Sequence, residues 1–211
     1  GGVAWVTTSA DHRGQGICRR LMQKQISLMR EQGEAVSVLT ASAGALYRRF
    51  GYGPAVMLTD FRVRCDRGML RDGLSHSGCS RVRLVDGEEA RSVLPVLYER
   101  LRRSQPGALS RPAQWWGVYL NDQPHFFSGH TGGAPLFHAV ARGRADEDVG
   151  YVSYRLPAEW VNGQPRQSLE IVELSATDPA AYVDLWSHCL GSRDVEQVRW
   201  SRGRADEPLR W

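Results

Sequence analysis

Arg13-Gly14-Gln15-Gly16-Ile17-Cys18 brings together residue types that hold anions. The stretch follows an apolar run, Val3-Ala4-Trp5-Val6, and opens an apolar-periodic segment from Ile17 to Met29. A strand that feeds a helix through a basic, glycine-containing turn leaves backbone N–H groups bare at the helix N-terminus. Those donors and the helix dipole both favour a phosphate. Gly14 and Gly16 let the backbone approach a ligand closely, and Arg13 adds a fixed positive charge. The stretch lacks the Gly-Lys-Ser/Thr end of a P-loop and the Gly-x-Gly-x-x-Gly spacing of a dinucleotide fingerprint. Read alone, it serves equally as a basic turn that caps a helix.

A second segment lies downstream, after the short apolar run Val36-Ser37-Val38-Leu39. It reads Ser42-Ala43-Gly44-Ala45-Leu46-Tyr47-Arg48-Arg49-Phe50-Gly51-Tyr52-Gly53. Ser42 is a good N-cap and Gly51 a good residue just past a helix end. Leu46 and Phe50 lie four apart on one face of this short helix, with Tyr47 expected to point away from it.

These residues carry a family resemblance. Arg13-x-x-Gly16-x-Cys18 resembles the Arg/Gln-x-x-Gly-x-Gly/Ala pyrophosphate loop of the Gcn5-related N-acetyltransferases, with Cys18 in place of the small residue usual there. Tyr47-x-x-x-Gly51-Tyr52 resembles their Tyr-x-x-x-Gly-Phe/Tyr element. His12-Arg13 before the loop and the run from Ala41 to Ala55 look like the Eis (enhanced intracellular survival) family, acetyl-CoA-dependent acetyltransferases of aminoglycosides and lysine amines. Segments 80–85 and 180–186 fit that family more loosely.

The resemblance implies acetyl-CoA as donor and a primary amine as acceptor. The pyrophosphate would sit on the N–H groups of Gly14, Gln15, Gly16, Ile17 and Cys18, with Arg13 meeting phosphate oxygens. Val6 and Thr8 lie on the strand before the loop, where the pantetheine arm would pair like an added strand. A splay in that strand would free an N–H for the thioester oxyanion, although no Gly or Pro marks it. Ser42 and Gly44 would touch pantetheine, and Ser42 serves equally as a cap. Tyr47 is the expected general acid, since a phenol titrates near ~10 and can protonate a leaving thiolate. The alternative for Tyr47 is packing. By resemblance the protein is a homo-oligomer, a hexamer. On the family pattern the chain begins inside a first acetyltransferase domain and stops inside a second, degenerate one. Trp211 therefore does not take the family's terminal-carboxylate role.

Composition narrows the classes. The net charge of +4 suits a polyanionic cofactor but falls short of a nucleic-acid footprint, and no run of Lys or Arg exceeds two residues. Arginine supplies nearly all the positive charge, Lys24 being the sole lysine. Cys18, Cys65, Cys79 and Cys189 are far apart, and the six histidines show no metal spacing, so no metal is expected. Unpaired thiols and the lack of any membrane-length apolar run point to a cytoplasmic protein without a membrane partner, secretion staying open because the start looks truncated.

The elements that must position these residues alternate in type, which argues for an α/β layer structure. Strands are expected at 3–8, 35–40 and 54–65, a helix at 15–32 and a short one at 43–50. In the first helix Ile17, Leu21 and Leu28 mark the apolar stripe, widened by Cys18, Met22, Ile26 and Met29. This predicts the C-terminal part of an acetyltransferase domain over 1–65, a linker over 66–80 and a degenerate acetyltransferase-like domain over 81–211. In the second half, strands are expected at 81–85, 136–142, 149–156, 168–175 and 194–200. Helices are expected at 88–103, where Pro95 could kink the chain, at 112–120 and at 179–190. Pro157-Ala158-Glu159-Trp160 stands where a second phosphate loop is expected, and an acidic residue there would repel a pyrophosphate. The fold class is thus a mixed sheet with flanking helices of the Gcn5-related type, the first copy incomplete and the second degenerate. The other reading is a non-catalytic interaction protein on that degenerate fold.

Overall fold

The computed structural model describes residues 1–41, 43–66, 81–121, 134–192 and 194–210. Ser42 and most of the expected linker therefore lie outside the described residues. The chain forms two compact units, Gly1–Met57 and Leu58–Trp211.

The first unit is small. Strand β1 (Gly2–Val3) pairs in parallel with β2 (Val38–Leu39), and helix α1 (Ile17–Glu31) connects them. A 3-10 turn at Ala10–His12 precedes α1, and α2 (Gly44–Arg48) follows β2. Gly33 ends α1 at φ 73°, with the Gly33 N–H on Arg30 and the Glu34 N–H on Met29. This double bond pattern closes a helix with a left-handed residue. The core holds Val3, Met22 and Tyr47, with Val6, Cys18, Leu39, Leu46, Phe50 and Tyr52 packed around it.

Two expectations for α1 and α2 are corrected here. Met22 is the buried residue of α1, while Leu21 is 52% and Leu28 40% exposed. A two-stranded sheet covers only the Cys18–Met22 side of the stripe. In α2 Tyr47 points into the core with Leu46 and Phe50 packed against it, because a one-turn helix between a strand and a tight turn cannot keep its largest apolar ring in water.

The second unit is built on a seven-stranded mixed sheet in the order β3-β9-β8-β6-β5-β4, with β7 paired to β8. Its strands are β3 (Leu58–Arg64), β4 (Arg81–Val85), β5 (Leu136–Arg142), β6 (Asp148–Arg155), β7 (Ala158–Val161), β8 (Gln164–Ala176) and β9 (Val195–Arg204). Residues 58–64, expected to close the first domain, instead pair with β9 as an edge strand of this sheet. Helices α3 (Gly87–Arg102), α4 (Ala113–Tyr119) and α5 (Pro179–Leu190) flank it. Alternation along the pleat separates two cores. Ala139, Ala141, Val152 and Tyr154 pack with Leu185, Trp186 and Cys189 of α5. Val140 and Tyr151 pack with Ala90, Leu94, Leu97 and Leu101 of α3 and Trp116 of α4. Asp86 caps α3 by accepting from the Glu88 and Glu89 N–H groups at 2.9 and 2.8 Å, and α3 runs unbroken through Pro95. Among the described residues no helix is long and apolar enough to cross a membrane.

Candidate functional site

The turn that leads into α1 has the geometry its residues foretell. Gly14 and Gly16 adopt φ of 78° and 74°, a left-handed conformation that side chains resist. A Cβ at either would meet no atom within 4 Å, so the space above the turn is open. Gly16 is the N-cap, and no side chain caps the helix behind it. The first turn of α1 contains no acidic residue. Helix dipole and uncapped N–H groups therefore face solvent unopposed. Arg13, Gly14, Gln15, Gly16, Arg19 and Arg20 are exposed, Ile17 and Cys18 half-buried. Among the described residues Arg13, Arg19 and Arg20 form no ion pair. His12 is turned aside, its Nδ1 3.0 Å from the Asp11 carboxylate. These residues fit a pyrophosphate: uncapped donors, three free guanidinium groups and an unobstructed approach.

The chain before the turn departs from the expected strand over 3–8. Pairing stops at Val3, and Trp5 sits at φ 58° with its side chain 73% exposed. A bulky residue at positive φ is strained, and such strain concentrates at functional sites. Val6 and Thr8 follow this residue and lie outside any strand, both half-buried. A tryptophan at positive φ stands where the splay is expected. No glycine or proline signals it in the sequence.

Tyr47 stands on the second segment of the site. Its ring is buried with Val3 and Met22. Past the end of the helix that carries it the chain turns at Gly51 (φ 88°), whose N–H bonds the Arg48 carbonyl, while the Tyr52 N–H reaches the Tyr47 carbonyl at 3.3 Å. The Tyr52 ring meets Tyr47 edge-on at 6.2 Å, and its hydroxyl is 2.8 Å from Ser37 Oγ. The N-cap of α2 is Ala43, which has no side-chain acceptor, and Gly44 opens the helix exposed. Ser42, expected at this cap, lies outside the described residues.

The second unit repeats the strand–helix–parallel strand arrangement with opposite electrostatics. β8, α5 and β9 match β1, α1 and β2 in order, and both strand pairs are parallel. The counterpart of the phosphate turn is therefore Ala176-Thr177-Asp178-Pro179. The expected position, Pro157-Ala158-Glu159-Trp160, is corrected: Ala158 to Trp160 belong to β7, which turns back through Asn162 (φ 54°) and Gly163 (φ 76°). An Asn-Gly pair at positive φ makes a two-residue hairpin, a signal present in the sequence. At the true counterpart the Asp178 carboxylate accepts from the Ala181 N–H at 2.9 Å, and Pro179 removes a further donor. A carboxylate already sits where a phosphate would.

Comparison with known proteins shows the family and the fold. Residues 1–55 and residues 107–211 each match a family described as Acetyltransferase (GNAT) domain. An uncharacterized N-acetyltransferase of Streptomyces avermitilis is 35% identical, over 98% of this chain and 49% of its own length. The N-acetyltransferase Eis of Mycobacterium tuberculosis is 30% identical, over 93% of this chain and 46% of its own. The crystal structure of Eis1 from Mycobacterium abscessus superposes with a TM-score of 0.76 at 26% identity, over 99% of this chain and 50% of that one. A Gcn5-related N-acetyltransferase from Anabaena variabilis shares the fold, with a TM-score of 0.77 at 20% identity, over 99% of this chain and 49% of that one. The chain spans about half the length of the curated relatives it matches.

Proposed function

Because this chain belongs to the Eis family of GNAT acetyltransferases, we propose that its first unit holds acetyl-CoA and passes the acetyl group to a primary amine. The observation that carries this reading is the uncapped N-terminus of α1 behind Gly14 and Gly16, beside the exposed side chains of Arg13, Arg19 and Arg20. Acetyl-CoA supplies an activated thioester whose carbonyl carbon an amine can attack.

The chain's residues divide the remaining work. Gly14, Gln15, Gly16, Ile17 and Cys18 present N–H groups to the pyrophosphate, and Arg13 adds a charge-assisted bond. Val6 and Thr8, on the segment that follows β1, offer backbone groups to the pantetheine amides. The same splay leaves room for an N–H aimed at the carbonyl oxygen as it gains charge. Gly44, at an α2 terminus without a side-chain cap, faces the same arm, with Ser42 proposed beside it. Tyr47 delivers the proton that the departing sulfur takes up, and the amine gives up one proton as its bond to the acyl carbon forms.

The acceptor class is an amine. The relatives named Eis favour aminoglycoside or lysine amines through the family resemblance alone. We propose a cytoplasmic homo-oligomer on the same ground, with no cofactor in the second unit.

Thiol release from acetyl-CoA by the full-length protein tests the reading, with an aminoglycoside and a lysine peptide as acceptors. Tyr47→Phe keeps the ring and removes the proton. Turnover should fall by roughly 10²–10⁴-fold while acetyl-CoA affinity holds. Near-normal turnover in Tyr47→Phe would move the acid elsewhere. No thiol release with either amine would favour a non-catalytic interaction protein.

A further inference from the structure

Arg111 differs from the arginines of the second unit that pair locally along the chain. Arg64, Arg142 and Arg204 pair with carboxylates two to four residues away in exposed turns. Such pairs contribute little. Arg111 pairs with Glu173, which is 62 residues away, through two bonds of 2.8 and 2.6 Å. Its side chain is only 10% exposed. The guanidinium carbon lies 3.7 Å from the centre of the Tyr98 ring, 4.2 Å from Tyr119 and 5.1 Å from Trp116.

The four surrounding groups come from three elements: Tyr98 from α3, Trp116 and Tyr119 from α4, and Glu173 from β8. Arg111 comes from none of them. It ends the segment between α3 and α4, which turns at Gly107 (φ 85°) and is pinned where the Tyr98 hydroxyl donates to the Leu109 carbonyl at 2.7 Å. The rings are also packed on each other: Trp116 meets Tyr98 edge-on at 5.6 Å and Tyr119 at 6.3 Å. The Tyr151 hydroxyl is buried in the same cluster, close to Glu173. Burial and the nearby Glu173 charge both hold that phenol un-ionised.

Three aromatic faces around one half-buried carboxylate form a receptor for an organic cation, since π faces and a carboxylate both attract delocalised positive charge. We infer that Tyr98, Trp116, Tyr119 and Glu173 form a cation-binding cage of the second unit, which the chain fills with its own Arg111. The segment between α3 and α4 is then a plug, and the ligand class of the emptied cage is an alkylguanidinium. This inference is independent of acetyl transfer in the first unit.

The test uses the full-length protein with Arg111→Ala and methylguanidinium as probe. Thermal unfolding followed by tryptophan fluorescence should show the second-unit Tm lowered by about 10 °C, the scale of a broken buried ion pair. Millimolar methylguanidinium should restore it saturably in Arg111→Ala, leave wild type unchanged, and do little in Arg111→Ala/Glu173→Gln. Tetramethylammonium, which cannot hydrogen-bond to Glu173, should restore less. An unaltered Tm in Arg111→Ala overturns the inference, and so does a response to methylguanidinium no larger than that of wild type. Should Arg111→Ala accumulate unfolded, refolding from urea decides. Recovery only with methylguanidinium supports the cage, and no recovery in its presence contradicts it.

Discussion

Tyr52 is joined to Tyr47 twice: its N–H bonds the Tyr47 carbonyl at 3.3 Å, and its ring meets the Tyr47 ring edge-on at 6.2 Å and 76°. Both links depend on Gly51, which turns the chain at φ 88°. The helix-ending motif thereby fixes where Tyr47 stands, and Ser37 Oγ at 2.8 Å anchors the Tyr52 hydroxyl from the β2 side. Gly51→Ala should destabilise the first unit by about 1–2 kcal/mol, the cost of a side chain in the left-handed region. Tyr52→Phe keeps the ring and loses one hydrogen bond, so about 0.5–1.5 kcal/mol is expected. Urea unfolding of both variants checks the order. A Gly51→Ala variant as stable as wild type would mean that the turn relaxes freely.

The two strand–helix turns predict one cofactor per protomer. α1 begins at an uncapped glycine, and α5 begins at Asp178, whose carboxylate already holds the Ala181 N–H. Asp178→Ala should cost about 0.5–2 kcal/mol as a lost cap and should leave coenzyme A stoichiometry at one. A stoichiometry of two in the wild-type protein would show that the second unit still binds.

His188 makes the second unit sensitive to acid. Its ring packs on Tyr154, with Nε2 3.2 Å from the hydroxyl, and burial lowers its pKa below the ordinary value. The fold therefore favours the neutral ring. As pH falls through about 6.5, the unfolded chain binds the proton first and stability drains away toward the lowered folded value. Above that window the contribution is whole. The urea midpoint should fall between about pH 7.5 and 5.5, and His188→Gln should flatten that fall. An equal slope in both proteins would assign the titration to other groups.

Much of this was legible in the residues because the signals are local. The helices read at 88–103 and 179–190 stand at Gly87–Arg102 and Pro179–Leu190. The runs at 81–85 and 136–142 are strands as read. The failures have physical causes. The direction of Tyr47 depends on what a one-turn helix packs against, which periodicity over five residues cannot encode. Trp5 belongs to a residue type that favours strands, yet it takes φ 58° just past β1, and no residue type there signals the turn. The Asn162-Gly163 turn was readable and displaced the expected second phosphate loop. The Arg111–Glu173 pair spans 62 residues and leaves no local trace.

The central claim is that the turn from Arg13 to Cys18 holds acetyl-CoA. Titration calorimetry of coenzyme A into the full-length protein tests it most directly, wild type against Arg13→Glu. The substitution replaces a free guanidinium beside the uncapped α1 terminus with a charge that repels phosphate. Affinity should fall by about 1.5–3 kcal/mol, the worth of a charged hydrogen bond, or roughly 10- to 100-fold, with the protein still folded. Equal affinity in the two proteins would contradict the assignment and place the cofactor elsewhere.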